Sequence, residues 1–134
     1  MKKIILRCAE LSILDEHTIR VKLLDDIDIQ EKDAEEVIKA LKLLTKGNHF
    51  GLLTETINNF TATDEARNYM AKAIGKTSII ANAIYIRSLS IRLLINLYIR
   101  FHQPTVVTKI FNSEKSALDW LEGQRMEQET KQEA

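Results

Sequence analysis

The sequence predicts an α/β layer protein, a mixed and mostly parallel five-stranded sheet that opens with a β-hairpin and carries four helices. Leu11, Ile13, Ile19, Val21 and Leu23 alternate with polar neighbours around the polar turn Asp15-Glu16-His17, the period-2 signature of two antiparallel strands. From Asp28 onward, helical periodicity takes turns with short apolar runs. The run that follows Thr77-Ser78, Ile79 to Ile86, is continuous and rich in β-branched residues, as a strand buried on both faces requires. Strands separated by helices pair in parallel through right-handed crossovers, which place the helices on the sheet faces.

Each later element follows from local signals. Asp28 with Glu31 three residues on resembles a capping box, and Ala34, Val37, Ile38, Leu41 and Leu44 keep helical spacing until Gly47. The acidic start (Glu31, Asp33, Glu35, Glu36) and basic end (Lys39, Lys42, Lys46) of this first helix complement its dipole. Phe50 to Ile57 reads as a strand. Thr61 or Thr63 caps a second helix with an acidic first turn, running to about Ala73. Ser88 or Ser90 caps the third helix, and Pro104 forbids its continuation. Thr105 to Phe111 is the last strand. A short helix from Ser113 closes the domain, with Trp120 as its anchor on the sheet beside Phe111 and Leu121. One domain over residues 1–122 and a polar, frayed tail over 123–134 are expected.

Composition excludes more than it proposes. The chain has 134 residues, 45% hydrophobic and 28% charged, and its 19 basic and 19 acidic side chains cancel. A lone cysteine, Cys8, forms no internal bridge and reads as a buried structural thiol. No signal peptide is expected after Met1-Lys2-Lys3, and the apolar stretch Leu89–Phe101, broken by Arg92, Asn96 and Arg100, is too short to span a bilayer. A cytoplasmic protein is therefore expected. The charge is polarised along the chain: residues 1–67 carry a net −3, residues 68–110 a net +6 without a single carboxylate, and residues 111–134 a net −3. Six cations spread over 43 largely apolar residues do not form the basic stripe that nucleic acid needs.

No catalytic, metal or cofactor constellation emerges. Gly75-Lys76-Thr77 lacks the glycine of a phosphate-binding loop at Met70 and precedes a strand, where that motif opens a helix. His17, His49 and His102 are isolated, and Asp25-Asp26-Ile27-Asp28 lacks the glycine and distal glutamate of a calcium loop. The third helix is the unusual element. Arg92, Asn96 and Arg100 form one narrow polar stripe, and apolar residues, Leu93 and Leu97 among them, fill the rest of its circumference. Three readings stand: burial under neighbouring helices, a surplus apolar surface for self-association, or the basic stripe as an anion site.

The order of elements, with the ending Phe111-Asn112-Ser113-Glu114-Lys115-Ser116-Ala117-Leu118-Asp119-Trp120-Leu121, resembles the STAS-domain family in its SpoIIAA-like branch, the fold of bacterial anti-sigma factor antagonists. The resemblance covers about residues 10–122 and implies a regulatory module that binds a partner without catalysis. Antagonists of that family carry a phosphorylatable serine in an Asp-Ser-Ser-Gly-Leu-Gly segment. The corresponding Asn59-Phe60-Thr61-Ala62-Thr63-Asp64-Glu65-Ala66 has neither that serine nor the glycines, so Thr61 and Thr63 beside Asp64 are capping residues first and switch candidates second. The resulting expectation is a homodimer that binds a protein partner. The alternative is a carrier of a small apolar or anionic ligand, a lipid for instance, in a pocket lined by the third helix with Arg92 and Arg100 at its headgroup.

Overall fold

The hairpin forms where the alternation places it. In the computed structural model, which describes residues 3–56 and 59–133, strands β2 (Ala9–Asp15) and β3 (Thr18–Leu23) pair antiparallel with Leu11 opposite Val21 and Ile13 opposite Ile19. The Asp15 carboxylate accepts the His17 amide at 2.8 Å and closes the turn. A further strand, β1 (Lys3–Ile5), adds antiparallel to β2 at the sheet edge. Beyond the hairpin the chain alternates: β4 (Ile27–Ile29), α1 (Glu31–Thr45), β5 (Phe50–Thr56), β6 (Phe60–Ala62), α2 (Asp64–Ala73), a 3-10 turn (Ile74–Lys76), β7 (Ile79–Tyr85), α3 (Leu89–His102), β8 (Val107–Phe111) and α4 (Glu114–Glu133).

The main sheet has six strands in the order β1-β2-β3-β5-β7-β8, parallel from β3 to β8, and β4 and β6 pair in parallel as a separate two-stranded sheet. Five strands were expected. The three missed ones, β1, β4 and β6, have three residues each and are too short to show a period of two. The expected strand end at Ile57, the loop residue Asn58, Met1, Lys2 and Ala134 lie outside the described residues.

Side-chain alternation divides the core. Leu11, Ile19, Val21 and Leu52 pack with Val37, Ile38, Leu41 and Leu44 of α1, and Ile84 packs with Ile91 and Ile95 of α3. On the opposite face, Leu53, Ala81 and Ala83 meet Ala117 and Leu121 of α4. The small residues let α4 approach closely: a Cβ on Gly51 would lie 3.1 Å from Leu121 Cδ2.

Two helix ends differ from expectation. Asp33, three residues into the helix, reaches back to the Gln30 amide at 2.9 Å, so the cap involves Gln30 and Asp33 and the expected Asp28–Glu31 pair does not form it. Asp28 instead belongs to β4, where its carboxylate accepts the Thr61 hydroxyl at 2.7 Å. At the other terminus, α4 continues to Glu133, past the expected end of the closing helix near Leu121. Arg125 bridges Glu122 and Glu129 at helical spacing along that extension.

Candidate docking face and internal cavity

α3 meets the sheet through one narrow edge. Only Ile91 and Ile95 of its fourteen residues are buried, against Ile84, Ile86 and, more loosely, Phe60 and Ile110, with Ile99 of the same helix half-buried beside them. On the outer side, four large apolar residues recur every fourth position and remain uncovered: Leu89 is 73% exposed, Leu93 60%, Leu97 53% and Phe101 69%. Successive positions four apart lie above one another on a helix, so these side chains form a continuous ridge. Neighbouring helices of the same chain do not cover it, which removes the burial reading of the helix's apolar surplus.

The polar stripe runs beside this ridge. Arg92 donates to the Asn112 side chain at 3.1 Å, the Arg100 guanidinium lies 5.9 Å from the centre of the Phe101 ring, and Asn96 is exposed. None of the three lines an internal cavity, so Arg92 and Arg100 do not take the headgroup position expected of them.

The threonine segment is used for structure. Thr63 is the N-cap of α2 and accepts the Ala66 amide at 3.1 Å, whereas Thr61 lies in β6 and braces β4 through Asp28. Asp64 accepts His102 Nε2 at 3.0 Å and lies 3.8 Å from an Arg67 terminal nitrogen, tying the start of α2 to the end of α3. His102 also stacks on Tyr98, with ring centres 5.9 Å apart.

The inner flank of α3 borders a cavity of about 120 Å³ between the sheet, α1, α2 and the small β4–β6 sheet. Its walls are almost entirely apolar. Leu52 and Ile84 contribute from the main sheet, Val37 and Leu41 from α1, Phe60 from β6, and Leu94 and Ile95 from α3. Four polar residues interrupt them: Thr54, Arg67, Asn82 and Tyr98. The Thr54 hydroxyl donates to Asn82 Oδ1 at 2.8 Å, which orients the Asn82 amide nitrogen away from that bond. Arg67 Nε is buried without a hydrogen-bond partner. Burial pushes the Tyr98 hydroxyl pKa well above its ordinary value, so the phenol stays neutral. Cys8, in the same wall, is fully buried, and loss of solvation raises its thiol to about 11, with the nearby Asp33 charge adding to the rise. It is an inert thiol at neutral pH.

Sequence reasoning reached the α3 surface but missed the cavity residues Arg67, Asn82 and Tyr98. One signal was present: Asn82 is a polar residue in the middle of an apolar strand, and a buried amide needs a partner. Across the sheet, Ala117 and Leu121 are buried as expected, and Trp120 is half-buried, tilted against Phe111 with ring centres 5.5 Å apart. Among the described residues, no group of three metal-ligating side chains occurs, and no helix is long and apolar enough to cross a membrane.

A family model described as a domain of unknown function (DUF7793) matches residues 12–125. The chain belongs to that family. No curated protein matches it. Among solved structures, the DUF7793 chain is similar to an uncharacterised Shewanella loihica PV-4 protein of the DUF3478 family with a SpoIIAA-like fold. Identity is 16%, the TM-score 0.60, and the match covers 90% of this chain and 99% of the other. It is also similar to the anti-sigma factor antagonist SpoIIAA in its unphosphorylated form, at 10% identity and a TM-score of 0.52, over 86% of this chain and 98% of the other. The DUF7793 chain therefore has a STAS-like, SpoIIAA-like fold, a mixed α/β architecture with four helices and a mostly parallel sheet.

Proposed function

We propose that this DUF7793 protein is a non-enzymatic cytoplasmic interaction module that docks a partner on the outer ridge of α3, and that a second copy of the chain is the first such partner. The observation that carries the reading is the exposed row Leu89, Leu93, Leu97 and Phe101. Contiguous apolar surface of this kind marks an interaction site in a soluble protein. The similarity to a structure named as an anti-sigma factor antagonist supports a regulatory binding role for the same fold.

Self-pairing is compatible with the charges. If two copies of α3 cross antiparallel about residues 93–97, Arg100 of one copy lies near the Leu89 end of the other. The two Arg100 side chains are then separated by about ten residues of helical rise, roughly 15 Å, beyond the ~8 Å screening length of physiological salt. In this reading Thr61 and Thr63 serve as brace and cap and carry no phosphate, and the domain proper is residues 1–122, with the rest of α4 a solvated extension.

Light scattering tests the proposal. Wild type should run as a dimer, and Leu97→Glu and Leu93→Glu should each give a folded monomer. A wild-type monomer, or dimers that survive both substitutions, would overturn the self-pairing. Stoichiometric phosphothreonine at residue 61 or 63 in protein purified from cells would replace the structural role of those side chains with a switch.

A further inference from the structure

The cavity behind α3 has the chemistry of a binding site, and it is separate from the docking ridge. Its walls are apolar, yet its polar groups are biased toward donors. Arg67 Nε is buried and unpartnered. The Asn82 amide nitrogen and the Tyr98 hydroxyl make no hydrogen bond among the described residues, and both residues line the same space as Arg67. An unpaired buried donor costs on the order of 1–3 kcal/mol, more when charged, so Arg67 Nε calls for an acceptor, and the Asn82 amide and Tyr98 hydroxyl in the same wall are free to join it. Asp64 lies 3.8 Å from a terminal nitrogen of Arg67, engages His102 as well, and leaves Nε without a hydrogen bond.

We propose that this cavity binds a small apolar carboxylic acid, whose hydrocarbon part fills the space between Leu52, Ile84 and Ile95 and whose carboxylate takes the donors of Arg67, Asn82 and Tyr98. A guanidinium favours a carboxylate over other acceptors because the bond is charge-assisted. Size limits the class. Apolar cavities of ~150 Å³ accept benzene, so a space of about 120 Å³ suits a single ring or a short chain and excludes a long-chain lipid. The proposal is independent of the docking ridge, because Leu94, Ile95 and Tyr98 line the cavity and Leu89, Leu93 and Leu97 do not.

Methyl-resolved NMR on the full chain, labelled at Ile, Leu and Val and titrated with benzoate, hexanoate and neutral 1-hexanol, tests it. Hexanoate or benzoate should give saturable shifts at Leu52, Ile84, Leu94 and Ile95. Arg67→Met should weaken the two acids by about tenfold or more, the scale of one charge-assisted bond, while leaving 1-hexanol unchanged. Tyr98→Phe, which keeps the ring, should weaken the acids less and secures the test if Arg67→Met does not fold. Leu93→Glu should leave binding intact. Absence of saturation up to about 10 mM, a dissociation constant too weak for a built site, would overturn the proposal. So would shifts confined to Leu89, Leu93 and Leu97, or equal losses for acid and alcohol in Arg67→Met.

Discussion

α1 and α3 lie on the same face of the same sheet and differ by a single residue in length, yet they use their apolar side chains in opposite ways. α1 turns Ala34, Val37, Ile38, Leu41 and Leu44 inward, and its outer side is charged apart from the isolated exposed Leu43. α3 is the more apolar of the two and buries only Ile91 and Ile95. Ile99 packs beside them half-buried, and the other large residues of α3 border a cavity or face solvent. Apolar content therefore does not measure burial. A helix that holds more apolar residues than its neighbours cover keeps a surface for something outside the chain.

The contrast can be broken by paired substitutions. Leu41→Ala in α1, fully buried, should lower unfolding free energy by about 2–5 kcal/mol. Leu93→Ala in α3 should change the stability of the monomer by no more than ~0.5 kcal/mol. Chemical denaturation of both variants, with α3 kept monomeric by Leu97→Glu, measures the difference. A large loss in Leu93→Ala on that background would mean that the ridge is packed within the chain.

Acid sensitivity belongs to the α1 side. Asp33 accepts Arg7 Nε at 2.9 Å and a second guanidinium nitrogen beside it, and these bonds, with the Gln30 amide, hold its carboxyl below the ordinary range. A carboxyl depressed in the folded state contributes stability that is present above the unfolded value of ~4 and is lost as pH falls through the lower folded value. Unfolding followed from pH 7 to pH 2 should show that loss, and Asp33→Asn should flatten it. An unchanged acid limb in Asp33→Asn would remove Asp33 as its source.

A smaller effect is expected at the start of α2. Thr63→Ala removes the side-chain acceptor of the Ala66 amide and should cost about 1 kcal/mol, while Thr61→Ala, which loses only an exposed brace to Asp28, should cost less. Equal losses at both positions would mean that the β4–β6 brace matters as much as the cap.

What the sequence made legible follows from distance along the chain. The α1 face, the hairpin, β7 and the polar stripe of α3 are local patterns, readable from spacings of two, three and four. The cap of α1 was misread because Asp28–Glu31 and Gln30–Asp33 have the same capping-box spacing, and contacts from Thr61 and Arg7 decide between the two pairs. Strands of three residues leave no pattern. The cavity gathers Cys8, Leu52, Arg67, Asn82 and Tyr98 from five separate stretches of chain, and only the folded sheet brings them together. The ridge was half legible: its excess was visible in the sequence, but whether the chain itself covers it was not.

The central claim is that the outer apolar side chains of α3 are covered by a second molecule, whereas the inward apolar side chains of α1 are covered by the chain itself. Broadening of leucine methyl resonances by a soluble paramagnetic agent, recorded at high and low protein concentration, tests it most directly. The account predicts that Leu41 and Leu53 stay protected at both concentrations, and that Leu93 and Leu97 are protected at high concentration and exposed on dilution. Leu93 and Leu97 broadened equally at every concentration would contradict it.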